Sequence, residues 1–146
     1  MNDHLRWIIY MSIFTTILTA CTGKSPDNLG VSGGRLTACP SSPNCVSSQA
    51  IDERHRIGPL IFTDTPEMAF TRLRLILDGR GDTTIIEERP GYLRVEFHTL
   101  LFVDDGEFLL DPERRLIEVR TASRLGYSDL GKNRRRLEEI RQSFTE

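Results

Sequence analysis

The chain has 146 residues, 27% of them charged and 38% hydrophobic, with a formal net charge of −2. That length sets a single domain as the starting expectation. The near-neutral balance excludes a globally basic nucleic-acid binder and an acidic solvating chain.

The first feature in chain order is apolar. A short head, MNDHLR, precedes the run Trp7–Leu18, and small residues follow; this is the layout of a secretory signal. A helix over that run would span about 18 Å, well short of the roughly 30 Å hydrocarbon core of a bilayer. The run closes on Leu18-Thr19-Ala20-Cys21, and the same four residues recur at Leu36-Thr37-Ala38-Cys39 with no apolar run before them. The first copy resembles the lipobox of bacterial lipoproteins, where cleavage falls before a cysteine that carries a lipid. This resemblance implies a signal peptide over residues 1–20, lipidation of Cys21 and attachment to a membrane through a lipid anchor. Thr22, where an Asp would mark inner-membrane retention, implies the outer membrane, with the protein facing the periplasm. The alternatives are an ordinary signal that leaves Cys21 as a free thiol, or an uncleaved anchor.

Export makes a disulfide between Cys39 and Cys45 the favoured reading of CPSSPNC, since an oxidising compartment lets nearby cysteines pair. Closing so small a loop is worth about 2 kcal/mol in the chain-entropy model. A redox pair, for which C-x-x-C is the usual spacing, and a metal site recruiting His55 and His98 are the rival readings. Residues 21–35, rich in Gly, Ser and Pro with no apolar period, read as the lipidated cysteine and a flexible tether. Residues 36–146 then form the folded domain.

Within that domain, Thr65 is placed to cap a helix that starts at Pro66, buries Ala69, Phe70, Leu73, Ile76 and Leu77 on one face, and stops at Gly79. Strand-like runs follow in TTIIEE, YLRVEFHTL, FVDDGEFLLD and LIEVRTA, which together predict an antiparallel sheet of about four strands. For the last hairpin, pairing Leu110 with Ile117 and Phe108 with Val119 matches the apolar sides and sets Glu107 opposite Arg120. A second helix follows, capped by Ser128 or Asp129, with Leu130, Leu137, Ile140 and Phe144 as its buried stripe. Its run Arg134-Arg135-Arg136 reads as a solvated face paired at (i, i+4) with Glu138 and Glu139, not as a nucleic-acid patch. The expected fold class is α+β, a single small domain with two main helices packed on the sheet.

The blocks CPSSPNCVSSQA, HRIGPLIF, FVDDGEF and RTASRLGYSDLGKNRRR, in this order, resemble the bacterial and plastid domain of unknown function 1499 family over Leu36–Phe144. The last block is the most specific. Two departures are Gly106, where the family implies a larger residue, and Thr121 in place of a serine. The resemblance implies no activity and no cofactor. Asp104, Asp105, Glu107, Arg120, Ser123, Arg124, Tyr127, Asp129, Asn133 and Arg134 crowd two strands and a helix start, and they form the candidate anion or ligand site. Arg120 is expected to pair internally with Glu107, while Arg124, near the helix N-terminus, is expected to await a carboxylate or phosphate. A carboxylate pair for glycoside chemistry could be drawn from Asp104 or Asp105 with Glu107, and a hard-cation site from all three. No G-x-S-x-G elbow is present, and neither His55 nor His98 has a neighbouring carboxylate that suggests a triad. No residue is assigned a catalytic or metal-binding role. The functional expectation is a lipid-anchored envelope domain that binds an envelope protein or a small anionic ligand, or serves structurally; a hydrolase-type enzyme using the Asp/Glu/Arg cluster is the alternative.

Overall fold

A computed structural model describes residues 23–146. Cys21 and the apolar run before it lie outside the described residues. Among the described residues no helix is long and apolar enough to cross a membrane.

Eight strands and two helices follow one another: β1 (Val31–Ser32), β2 (Arg35–Leu36), β3 (Cys45–Ser47), β4 (Leu60–Ile61), α1 (Pro66–Asp78), β5 (Thr83–Arg89), β6 (Tyr92–His98), β7 (Val103–Asp111), β8 (Leu116–Ser123) and α2 (Lys132–Thr145). Strands β5 to β8 form an antiparallel meander, and β3 and β4 share the free edge of β8, making a six-stranded sheet; β1 and β2 form a separate two-stranded hairpin. The expectation of about four strands is therefore corrected to six plus two. The four long strands were visible because seven or more residues show alternation, whereas strands of two or three residues carry no readable period.

Helix α1 starts and stops where its punctuation predicts. Thr65 accepts a hydrogen bond from the Met68 N–H, Pro66 opens the helix, and Gly79 closes it. Ala69, Leu73 and Leu77 are buried, with Phe70 and Ile76 packed at the edge of the same core. The β7–β8 register also follows the sequence argument, with Leu110 opposite Ile117, Phe108 opposite Val119 and Glu107 opposite Arg120. The apolar sides of these strands, with Leu93, Val95 and Phe97 of β6, face both helices and make one core.

Three expectations about α2 change, the first being the N-cap position, which is Gly131 at φ 74° and neither Ser128 nor Asp129. Leu130 lies outside the helix, 84% exposed and at φ 54°, so the buried face runs Asn133, Arg136, Leu137, Ile140, Phe144. Arg134 and Arg135 do not pair with Glu138 and Glu139. Arg134 instead donates to the carbonyls of Arg54 and Arg56, Glu138 pairs with Arg141, and Glu139 pairs with Arg80. Arg134 thus faces the loop before β4, while Arg135 donates to the Leu130 carbonyl just before the helix.

The segment read as a tether also carries structure. Gly33 and Gly34, both at positive φ, turn the β1–β2 hairpin; Gly-Gly between two strands is a hairpin signal in its own right. Upstream of the hairpin, Arg94 donates to the Ser25 hydroxyl and the Gly30 N–H donates to Glu107, so this segment lies across the sheet face turned away from the helices.

Candidate functional site

Side chains alternate across a strand, and this separates the crowded charged residues into two groups. Asp104 points toward the helices, while Asp105 and Glu107 point to the opposite face. Asp104 is therefore separated from Glu107, so neither the glycosidase pair nor the cation site drawn through Asp104 is assembled, while Asp105 and Glu107 share the far face, where Arg124 and Arg120 engage them. Among the described residues no group of three His, Cys, Asp or Glu side chains could hold a metal ion.

On the helix side, Asp104 Oδ2 accepts from Arg136 Nη1 at 2.8 Å, with both residues almost fully buried. The same guanidinium nitrogen reaches Asn133 Oδ1 at 3.0 Å, and that oxygen also accepts from the Thr121 hydroxyl at 2.8 Å. Asn133 in turn donates to the Ser123 hydroxyl and the Asn44 carbonyl. This closed network ties α2 to the sheet and to the cysteine loop. Arg136 stacks 4.5 Å over the ring of Phe97. Phe97 lies across Gly106, where an added Cβ would collide with it and with Val95, so the small residue makes room for the ring.

On the far side, Arg120 Nη1 meets Glu107 Oε2 at 3.2 Å, and Glu107 Oε1 accepts from the Tyr92 hydroxyl at 2.8 Å and from the Gly30 N–H at 2.7 Å. Glu107 is wholly buried yet well supplied with donors. Arg120 is not, because its buried Nε has no partner, and burial pushes its guanidinium below the usual range against the pull of Glu107. Next to this pair, Arg124 grips Asp105 with two hydrogen bonds of 2.8 Å and reaches Glu96 as well. Its hydrogen bonds to Asp105 raise its pKa further. The expectation that Arg124 awaits an external anion is thus corrected, since the anions are its own chain's.

A second internal carboxylate occupies the N-terminus of α2. Asp129 Oδ1 and Oδ2 each lie 2.9 Å from a backbone N–H, those of Gly131 and Asn133, so the place favoured by the helix dipole is filled. Tyr127 stands apart, 73% exposed. Arg134 is a clamp on the loop at residues 54–56, away from both networks. Contrary to expectation, both histidines have a sequence-local carboxylate: His98 Nε2 is 3.5 Å from Glu96 Oε2, and His55 has its Nδ1 2.8 Å from Asp52 Oδ1, which lowers the Asp52 pKa. The His55 Nε2 is 3.1 Å from the Ser42 carbonyl. Both nitrogens of the His55 ring are engaged, so the ring braces the cysteine loop and is not free to act as a base.

The residues missed from the sequence are Arg136, Tyr92, Glu96, Gly30 and Asn44. Arg136 falls one position before Leu137 and four before Ile140, which places it on the buried face of α2; that helical spacing was the available signal.

Tyr92 offers a pH test of the far-side network. Burial first, then the charge of Glu107, raises its pKa above the ordinary 10.0. Since the folded value exceeds the unfolded one, its stabilisation is fully present below about pH 10 and is lost as pH rises through the folded value. Unfolding free energy measured across alkaline pH should therefore fall more steeply in the wild type than in Tyr92→Phe. Parallel curves would place Tyr92 outside the network.

Cys39 and Cys45 are joined by a disulfide with Cα atoms 5.7 Å apart. The fold and its charge networks define a small disulfide-stapled α+β domain in which an antiparallel sheet is backed by two helices. Residues 35–144 match the family described as a protein of unknown function (DUF1499), and the chain belongs to that family. Comparison with curated proteins and with solved structures gave no match.

Proposed function

We propose that the chain is a lipid-anchored protein of the bacterial cell envelope, with its domain in the periplasm and a binding or structural role. The observation that carries this reading is the apolar run Trp7–Leu18 ending on Leu18-Thr19-Ala20-Cys21. The Cys39–Cys45 disulfide supports it, because such bonds persist in oxidising compartments. Thr22 after the cysteine favours the outer membrane, and the partner is an envelope component. A hydrolase-type enzyme using the Asp/Glu/Arg cluster is the alternative. The engagement of Asp104, Asp105 and Glu107 by Arg136, Arg124 and Arg120 favours a scaffold over that chemistry.

Metabolic labelling with an alkynyl palmitate tests the anchor. Wild-type protein should take up the label and Cys21→Ala should not, remaining as unprocessed precursor. Label retained by Cys21→Ala, or absent from the wild type, would overturn the proposal.

A further inference from the structure

One end of the sheet carries an apolar surface that the scaffold does not use. The β6–β7 turn presents Leu100, Leu101 and Phe102, and the loop after β8 presents Leu125, Tyr127 and Leu130. Leu100 is 96% exposed and Leu130 is 84% exposed. The two segments form one surface: the Arg124 N–H donates to the Val103 carbonyl, and Phe102, Leu125 and Leu130 line the same shallow depression with Lys132.

Leu130 is held at φ 54°, a conformation that is uncommon for a bulky residue and costs free energy. Its side chain does not recover that cost by packing within the domain. Strain retained at an exposed leucine points to a use outside the fold.

The position of the chain's N-terminal end identifies the occupant. Gly23 lies directly against this surface, so close that a Cβ built on it would be 3.1 Å from Leu125 Cγ. Cys21 is two residues earlier, within about 7 Å of extended chain. Any lipid on Cys21 is therefore delivered beside the exposed leucines. Cations border the surface: Lys132 lines the depression together with Asp129, and with Arg80 and Arg135 it lines a neighbouring one that also holds Asp82 and Glu139. Apolar side chains flanked by an exposed tyrosine and cations are suited to the boundary between lipid acyl chains and phosphate headgroups.

We propose that Leu100–Phe102 and Leu125–Leu130 form a wedge that enters the bilayer beside the anchor and seats the domain on the membrane in one orientation. This rests on the anchor reading for its geometry. The β5–β6 and β7–β8 turns, at the opposite end of the sheet, then face away from the membrane and are the surface offered to an envelope partner.

The only tryptophan is Trp7, so single-tryptophan variants report the wedge directly. Leu101→Trp, Leu130→Trp and Leu75→Trp, the last on the exposed side of α1, are placed in the full chain with Trp7→Phe. Each is reconstituted in phosphatidylethanolamine/phosphatidylglycerol vesicles with plain or brominated acyl chains. Emission from positions 101 and 130 should shift to the blue and be lost to the bromines, while position 75 should be unaffected. Leu130→Asn, a residue that tolerates positive φ, should keep or raise the melting temperature and weaken quenching at position 101. Vesicle flotation and the mass of the Cys21 peptide report the anchor separately from the quenching. Quenching without lipid on Cys21 upholds the wedge and removes the anchor. Flotation without quenching removes the wedge and keeps the anchor; blue-shifted but unquenched emission assigns the surface to protein, either a second copy or residues 1–20, and also overturns the wedge. Neither flotation nor quenching overturns both.

Discussion

Replacing Arg136 with alanine is expected to lower the unfolding free energy by about 3–5 kcal/mol, because it strands a buried carboxylate. Asp104 is 2% exposed and its arginine partner is Arg136. The substitution also removes the stack on Phe97 and one of the two donors to Asn133 Oδ1. A loss of that size approaches the whole stability of a small domain. Urea unfolding should show the effect as a large fall in midpoint. Arg135→Ala, one residue earlier and exposed, should stay within about 1 kcal/mol of the wild type. Pairing Arg136→Met with Asp104→Leu removes both charges and should recover most of the loss, since buried ion pairs are often replaceable by apolar residues. Equal losses at positions 135 and 136 would return the basic run to the solvated face on which the sequence placed it.

The second large effect is an inequality between two arginines on the far side of the sheet. Arg124→Ala leaves Asp105, 1% exposed, without its two guanidinium hydrogen bonds and releases Glu96 as well; the expected cost is about 3–5 kcal/mol. Arg120→Ala should cost less, about 1–3 kcal/mol. Glu107 keeps the Tyr92 hydroxyl and the Gly30 N–H, and the substitution also removes a buried Nε that has no partner. Added phosphate should raise neither melting temperature, because carboxylates of the same chain already occupy the cationic groups. A larger loss at Arg120 than at Arg124, or phosphate stabilisation that disappears with Arg124, would point to a ligand site in place of the closed network.

The elements legible in the sequence were those in which several local signals agree. Thr65, Pro66 and Gly79 bracket α1 while its apolar spacing marks the buried face. The β7–β8 register was determined because apolar matching and the Glu107–Arg120 pair demand the same alignment. Strands β3 and β4 depend on long-range pairing with β8 and have too few residues for alternation to show. The β1–β2 hairpin was hidden by its own composition, since Gly and Ser mark both a flexible chain and a tight turn.

The charged residues were found but wrongly grouped. Proximity in sequence suggested one site, whereas the period of two along β7 sends Asp104 and Asp105 to opposite faces. The same period predicts that result, and helical spacing predicts the burial of Arg136. What local pattern could not supply is which distant groups complete each network, such as Tyr92 from β6, the Gly30 N–H from the segment before β1, and Asn44 from the cysteine loop.

The most direct test of the envelope assignment is the mass of the N-terminal peptide of wild-type protein isolated from envelope membranes of a bacterium that expresses it. The account predicts a chain that begins at Cys21, with that residue carrying diacylglyceryl and acyl groups. A chain that begins elsewhere, with an unmodified thiol at Cys21, would contradict it.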